Sequence, residues 1–330
     1  MRRMQTVNRL WQWFPTTIDR RVRVIAWASL VSQILIVGTG GAVRLTGSGL
    51  GCPTWPRCTD DSFVATPEMG IHGIVEFGNR LLTFVLIVIA LLAFLFVVRM
   101  RRERPELLRL TLALGLGIIA QAIIGGITVL TGLNSWIVGL HFVVSSVLVA
   151  LAAVLVHRVY HGRATSRLAV PPPVRLLALA TAVGVWVTVL VGIVVTGSGP
   201  HAGDADTPRN GLDPAVWQHV HSWPAYITAA LSVLLLVAAM RVGHAPLRRA
   251  VLGLLAVEAV QMAVGLAQAR LGLPELLVGT HMVLACVLVA ALTHMLLTLR
   301  VSEGSATRSD ARDQKGSSGS IATPTKSSVR

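Results

Sequence analysis

Eight stretches of about twenty mostly apolar residues recur along the chain, at roughly 24–43, 72–98, 109–131, 136–157, 174–196, 217–240, 248–270 and 276–299. Each is a continuous run and not a short amphipathic pattern, and is long enough to cross the roughly 30 Å hydrocarbon core of a bilayer as an α-helix. The pattern predicts an all-α polytopic membrane protein with eight transmembrane helices. The first run starts after about two dozen residues and is of spanning length, so it reads as a span and not as a cleavable signal. After the eighth, residues 301–330 are rich in Ser, Gly and Thr and nearly free of large apolar side chains, which predicts disorder.

The polar segments orient the chain. Arg2, Arg3, Arg9, Arg20, Arg21 and Arg23 precede the first run; RMRRERPELLR, HRVYHGRATSR and RVGHAPLRR follow the second, fourth and sixth. The alternate loops carry Asp60, Asp61, Glu68, Asp204, Asp206 and Asp213 against few arginines. By the positive-inside rule both termini are cytoplasmic and the loop after the first run faces outward, the arrangement of a multi-pass plasma-membrane protein. Composition agrees: 53% of the 330 residues are hydrophobic and 13% charged, where a soluble domain carries about a quarter charged residues. The net charge of +14 follows the loop asymmetry, so it does not indicate a nucleic-acid partner.

The chain also repeats itself. VGLHFVVSSVLVA (Val138 to Ala150) and VGTHMVLACVLVA (Val278 to Ala290) agree at most positions with an offset of 140. The same offset joins Gly132 to Gly272, Gly125 to Gly265 and Gln121 to Gln261, and Thr46-Gly47-Ser48-Gly49 recurs as Thr196-Gly197-Ser198-Gly199. Four spans per repeat put both halves in the membrane the same way up. The expectation is two tandem parallel four-helix bundles with a pseudo-two-fold axis along the membrane normal, each able to hold a cofactor between its helices. The boundaries follow: a cytoplasmic segment 1–23, a first bundle 24–160, a linker 161–173 stiffened by Pro171, Pro172 and Pro173, a second bundle 174–300, and the tail.

Ionisable residues at membrane depth are costly and therefore mark function. His141 and His281 occupy equivalent positions near the outer ends of their spans. His221 reaches a similar depth in the sixth span, with His219 of the same QHVH as an alternative, and two facing imidazoles suit a haem iron. In IHGIVEFGNRLL, His72, Glu76 and Asn79 are spaced i, i+4, i+7 on one helix face, and Arg80 can pair with Glu76. A buried carboxyl beside a cavity can carry protons, or the pair can simply neutralise itself. His157, His161, His244 and His294 fall at cytoplasmic ends among basic residues and read as interfacial. Cys286 reads as packing.

With VRLTGSGLGCPTWPRC after the first span, EFGNRLL in the second and histidines in spans four, six and eight, residues 20–300 resemble the haem A synthases, of the type with a cysteine pair in the first outer loop. The resemblance implies an oxidoreductase that converts a methyl group of haem O to the formyl group of haem A by successive hydroxylations and loss of water. It implies a haem b in the C-terminal half ligated by His221 and His281, haem O in the N-terminal half beside His141, and Glu76 as the catalytic acid. An external electron donor and dioxygen are required. A haem O synthase and the assembling terminal oxidase are implied as neighbours, and a homo-oligomer is left open. Many members carry Glu-x-x-His-Arg in the second span. Here Asn79 stands in the histidine's place, leaving His141 as sole ligand on that side, or His72 as a substitute.

Two other classes fit part of the pattern: a di-haem b electron carrier and a non-catalytic haem transport or assembly factor. Haems stacked through the bilayer need paired histidines on one helix face, whereas His141/His157 and His281/His294 fall about 160° and 140° apart at 100° per residue. A Cys52–Cys58 disulfide is feasible in an outward loop, as a staple or as a redox-sensitive lid over the haem O side.

Overall fold

The computed structural model describes residues 12–302. Eight long helices dominate it: α1 (Arg20–Leu45), α2 (Gly70–Val97), α3 (Pro105–Leu130), α4 (Ser135–His161), α5 (Pro172–Ser198), α6 (Pro214–Arg241), α7 (Ala245–Arg270) and α8 (Glu275–Leu297). All eight are long and apolar enough to cross a membrane. The polar ends set the helix limits beyond the apolar runs. Asp19 caps α1 by accepting from Val22 N–H at 3.1 Å, Asn134 caps α4 through Trp136 N–H at 3.1 Å, and Asp213 caps α6 through Ala215 N–H at 2.8 Å. These side chains satisfy amide groups that a helix start leaves without partners.

The surface is inverted relative to a water-soluble protein. Phe84, Leu116, Leu176 and Val183 point outward, while Ser29, Gln33, Ser146, Thr181 and Ser232 are buried between helices. In lipid, apolar burial does not drive helices together, so close approach of small residues and hydrogen bonding hold the packing. In the first half α1 packs on α2 and α4, and α3 on the same two; in the second, α5 packs on α6 and α8, and α7 on those two. Contacts of α1 with α8, α4 with α8 and α4 with α5 join the halves.

Glycines allow those joins. A Cβ on Gly139 would lie 2.7 Å from Ile193 of α5, and one on Gly279 would lie 3.2 Å from Leu45 of α1. These two glycines are themselves 140 positions apart. The repeat extends to the backbone: Gly132-Leu133 and Gly272-Leu273 all adopt positive φ, between 58° and 74°. That conformation is costly for leucine. At Leu133 it drives the side chain beneath Gly49 and Gly203.

Two features differ from the expectations. Pro171 is the N-cap of α5, and Pro172 and Pro173 are its first residues. Proline is well suited to a first turn, where its missing N–H costs nothing, so the prolines start a helix and do not extend a linker. The remainder of that segment forms strand β1 (Ala164–Leu168), antiparallel to β2 (Arg300–Ser302) after α8. Val301 and Ser302 are thus ordered, and the rest of the tail, 303–330, lies outside the described residues, as do Arg2, Arg3 and Arg9.

Candidate functional site

A cavity of about 640 Å³ opens between the helices near the end that carries the 46–69, 131–134, 199–213 and 271–274 connections. Its wall draws on both halves: Glu76, Asn79, Arg80 and His141 from the first, and His221 and His281 from the second.

The α2 side of the wall is a clamp. Glu76, only 5% exposed, accepts from Cys52 N–H at 2.6 Å through Oε2 and from Arg80 Nε at 3.1 Å through Oε1. Arg80 Nη2 bonds the same Glu76 oxygen and also the Cys52 carbonyl at 2.8 Å, while Nη1 reaches the carbonyls of Thr54 and Arg57 at 3.0 and 3.1 Å. The predicted i, i+4 pair is therefore present, and it grips the loop closed by the Cys52–Cys58 disulfide. Both cysteines are fully buried. Trp55, inside that loop, lines the cavity and lies against Gly126, where a Cβ would sit 2.4 Å from the indole.

The third member of the predicted helix face is elsewhere. His72 is exposed, its Nδ1 paired with Ser48 Oγ at 2.9 Å in the TGSG turn, and it does not line the cavity. The loop packing pulls the first turn of α2 away: Gly51 stacks so closely on the His72 carbonyl that a Cβ there would approach within 2.2 Å. Asn79 does line the cavity, its Oδ1 held by the Thr39 hydroxyl at 2.8 Å.

The histidines share a construction. Gln121 Nε2 donates to the His141 carbonyl at 3.0 Å, and Gln261 Nε2 to the His281 carbonyl at 3.1 Å. Gln121 also bonds the Ser145 hydroxyl. Each ring rests on the glycine of the neighbouring helix: a Cβ on Gly125 would be 3.3 Å from His141 Cε1, and one on Gly265 would be 3.0 Å from His281 Cε1. His221 lies likewise on Gly192, at 2.8 Å. The Nδ1 atoms of His141, His221 and His281 are buried without a hydrogen-bond partner. The His221 and His281 rings face each other with centroids 6.3 Å apart at 75°. His219 is exposed, bonds the Ala215 carbonyl at 2.7 Å, and is absent from the cavity wall.

Other polar and titratable residues fall outside this site. Glu258 is buried and accepts from Ser232 Oγ at 2.8 Å. Cys286 is free and buried. His157, near the end of α4, is 6% exposed, stacks on His161, and meets His294 where α4 and α8 touch, with their Nδ1 atoms 3.4 Å apart. His244 caps α7 through Leu247 N–H at 3.2 Å. Trp55, Gly192 and Arg44 are among the contributors to the cavity that residue types and spacing did not mark. Arg44 and Trp55 lie inside the VRLTGSGLGCPTWPRC motif, which was their only sequence signal.

Residues 23–293 match the COX15-CtaA family, described as cytochrome oxidase assembly protein. Among named relatives, a heme A synthase of Lysinibacillus sphaericus is 35% identical over 140 residues, 42% of this chain and 44% of the relative. One of Geobacillus thermodenitrificans is 30% identical over 125 residues, 37% and 38% of the two chains. One of Listeria welshimeri is 26% identical over 182 residues, 53% and 58%. The chain thus spans less than two thirds of the length of the relatives it matches. The family match, by contrast, runs from α1 into α8 and takes in the loop clamp, Glu76 and all the cavity histidines, so the protein belongs to the COX15-CtaA cytochrome oxidase assembly family.

Proposed function

We propose that the protein is a haem A synthase of the plasma membrane, with both termini cytoplasmic, that oxidises a methyl group of haem O to formyl. The observation that carries this reading is the shared cavity. A carboxylate clamp and one histidine line it on the first-half side, and two facing histidines line it on the other. Among the described residues no group of three or more His, Cys, Asp or Glu is placed to hold a bare metal ion. His221 and His281 would instead hold the iron of a haem.

In this reading the helices of each half form one bundle, residues 24–160 and 174–300. His221 and His281 hold a resident haem b, and His141 faces haem O. The resident haem, when bound, supplies electron transfer fed by an external donor. The glycine beneath each ring makes the room that the imidazole occupies beside the cavity. Gln121 and Gln261 fix the depth of His141 and His281 through their carbonyls. Trp55 and the clamped loop exclude water from the first-half side.

Glu76 holds or moves a proton at its carboxyl oxygens. Protonation of either oxygen competes with the Arg80 or Cys52 donor, so proton transfer and the seating of the loop are coupled. Asn79 cannot ligate iron as a histidine does, and His72 faces away. The substrate side is therefore held by fewer protein ligands than the resident side, which favours exchange of haem O for haem A. A haem O synthase upstream and a terminal oxidase under assembly downstream complete the proposed setting. His157 and His294 meet each other and do not line the cavity, which disfavours the di-haem electron carrier.

Two measurements test the proposal. Pigments extracted from the purified full chain should include haem b together with haem O or haem A; haem b alone, at two per chain, would overturn it in favour of the electron carrier. Glu76→Ala should abolish haem A and let haem O accumulate. Glu76→Gln keeps an acceptor for Cys52 N–H but cannot ionise, and should lose activity with the loop intact. Full activity in Glu76→Gln would make Glu76 a loop-positioning residue only.

A further inference from the structure

The cavity contains one cation that the site described above does not use. Its charged lining residues are Glu76, Arg80 and Arg44. Glu76 and Arg80 neutralise each other, whereas no carboxylate lies within ion-pair distance of Arg44 among the described residues. Arg44 projects from the last turn of α1 across the join between the halves, where Nη2 donates to the Thr196 carbonyl of α5 at 2.7 Å. Its Nε is buried and has no partner. Two further orphaned polar atoms of the same wall, Thr207 Oγ1 and Gln268 Oε1, are buried. Arg209, spent on the carbonyls of Thr207 and Pro200 at 2.6 Å each, adds positive charge nearby and no anion. An unneutralised guanidinium in an apolar wall is costly unless an anion accompanies it. The C-terminal carbonyls of α1 and α5 offset only part of that cost.

We infer that Arg44 is a carboxylate-binding site at the junction of the two halves, taking an acidic side arm of a flat, largely apolar ligand in the cavity. The inference rests on the haem reading, in which the arm is a propionate. Arg44 touches both halves, so the site ties a ligand's acidic edge to the helix join and not to either histidine set. A guanidinium suits this task because it presents several donors in one plane and stays charged.

The test compares an acidic ligand with its esterified form. The purified full chain, stripped of pigment, is titrated with iron protoporphyrin IX and with its dimethyl ester, and binding is followed by the Soret band. The free acid should bind about tenfold to a hundredfold tighter than the ester, the worth of one hydrogen-bonded charge pair. Arg44→Gln, which keeps a donor for the Thr196 carbonyl, should bring the two affinities together. Arg44→Lys, which keeps the charge, should retain most of the preference. His281→Ala should weaken acid and ester alike. Equal affinity for acid and ester in the native chain would overturn the Arg44 site and leave the haem reading standing. An acid preference undiminished in Arg44→Gln would also overturn it. Failure of both porphyrins to bind would sink the haem reading itself.

Discussion

The glycines beneath the cavity histidines are as constrained as the histidines. In Gly192→Ala the new methyl would meet His221 Cε1 at 2.8 Å, closer than real Cβ contacts allow, so the ring must tilt or shift. The expected result is a folded protein that loses most of its bis-imidazole low-spin haem signal and retains severalfold less haem through purification. Gly253→Ala in α7 is the control, because its Cβ would meet nothing within 4 Å. It should leave the haem spectrum unchanged and raise the thermal midpoint, since alanine is favoured over glycine inside a helix by about 1 kcal/mol. Periodicity marks such glycines only as small; their partners across the helix gap make them specific.

Helix limits answer to end chemistry more than to hydropathy. The first apolar run suggests a start near 24, yet α1 begins at Arg20 because Asp19 caps it. Burial pushes the Asp19 carboxyl up, but the Val22 N–H and the Arg21 guanidinium outweigh it and hold the carboxyl below the ordinary carboxylate range. A carboxyl lowered in the folded state contributes stability that is full above the unfolded pKa of about 3.9 and is lost as pH falls through the folded value. Asp19→Ala should therefore cost about 1 kcal/mol near neutral pH, the usual worth of an N-cap. Thermal scans in detergent should show that deficit closing as the pH drops below about 4. The β1–β2 ribbon was not legible in the chain, because five residues of ordinary composition become a strand only when Arg300–Ser302 lies alongside.

The join between the halves is built where side chains are missing. Gly139→Leu would drive a branched side chain into Ile193, which a Cβ alone already approaches to 2.7 Å. Overpacking of this kind costs about 1–3 kcal/mol. Because the cavity is shared, the expected outcome is a lower thermal midpoint together with loss of haem from both histidine sets. Gly192→Ala should affect the His221 side alone. Parallel loss in Gly139→Leu and selective loss in Gly192→Ala, read from pigment content, would distinguish a common cavity from two independent ones.

Hydropathy determined the eight helices, and the 140-residue offset marked His141 and His281 as counterparts, because span length and repeat spacing are one-dimensional properties. The pairing of Glu76 with Arg80 was also local, four residues apart on one helix. Only the tertiary structure decided the rest. It turned His72 away to Ser48, chose His221 over His219 for the cavity, and brought His157 and His294 together. It fastened the Cys52–Cys58 loop to Glu76, and carried Arg44 across to Thr196. Each of these depends on which neighbour fills the space around a side chain, and packing between segments dozens to more than a hundred residues apart settles that question.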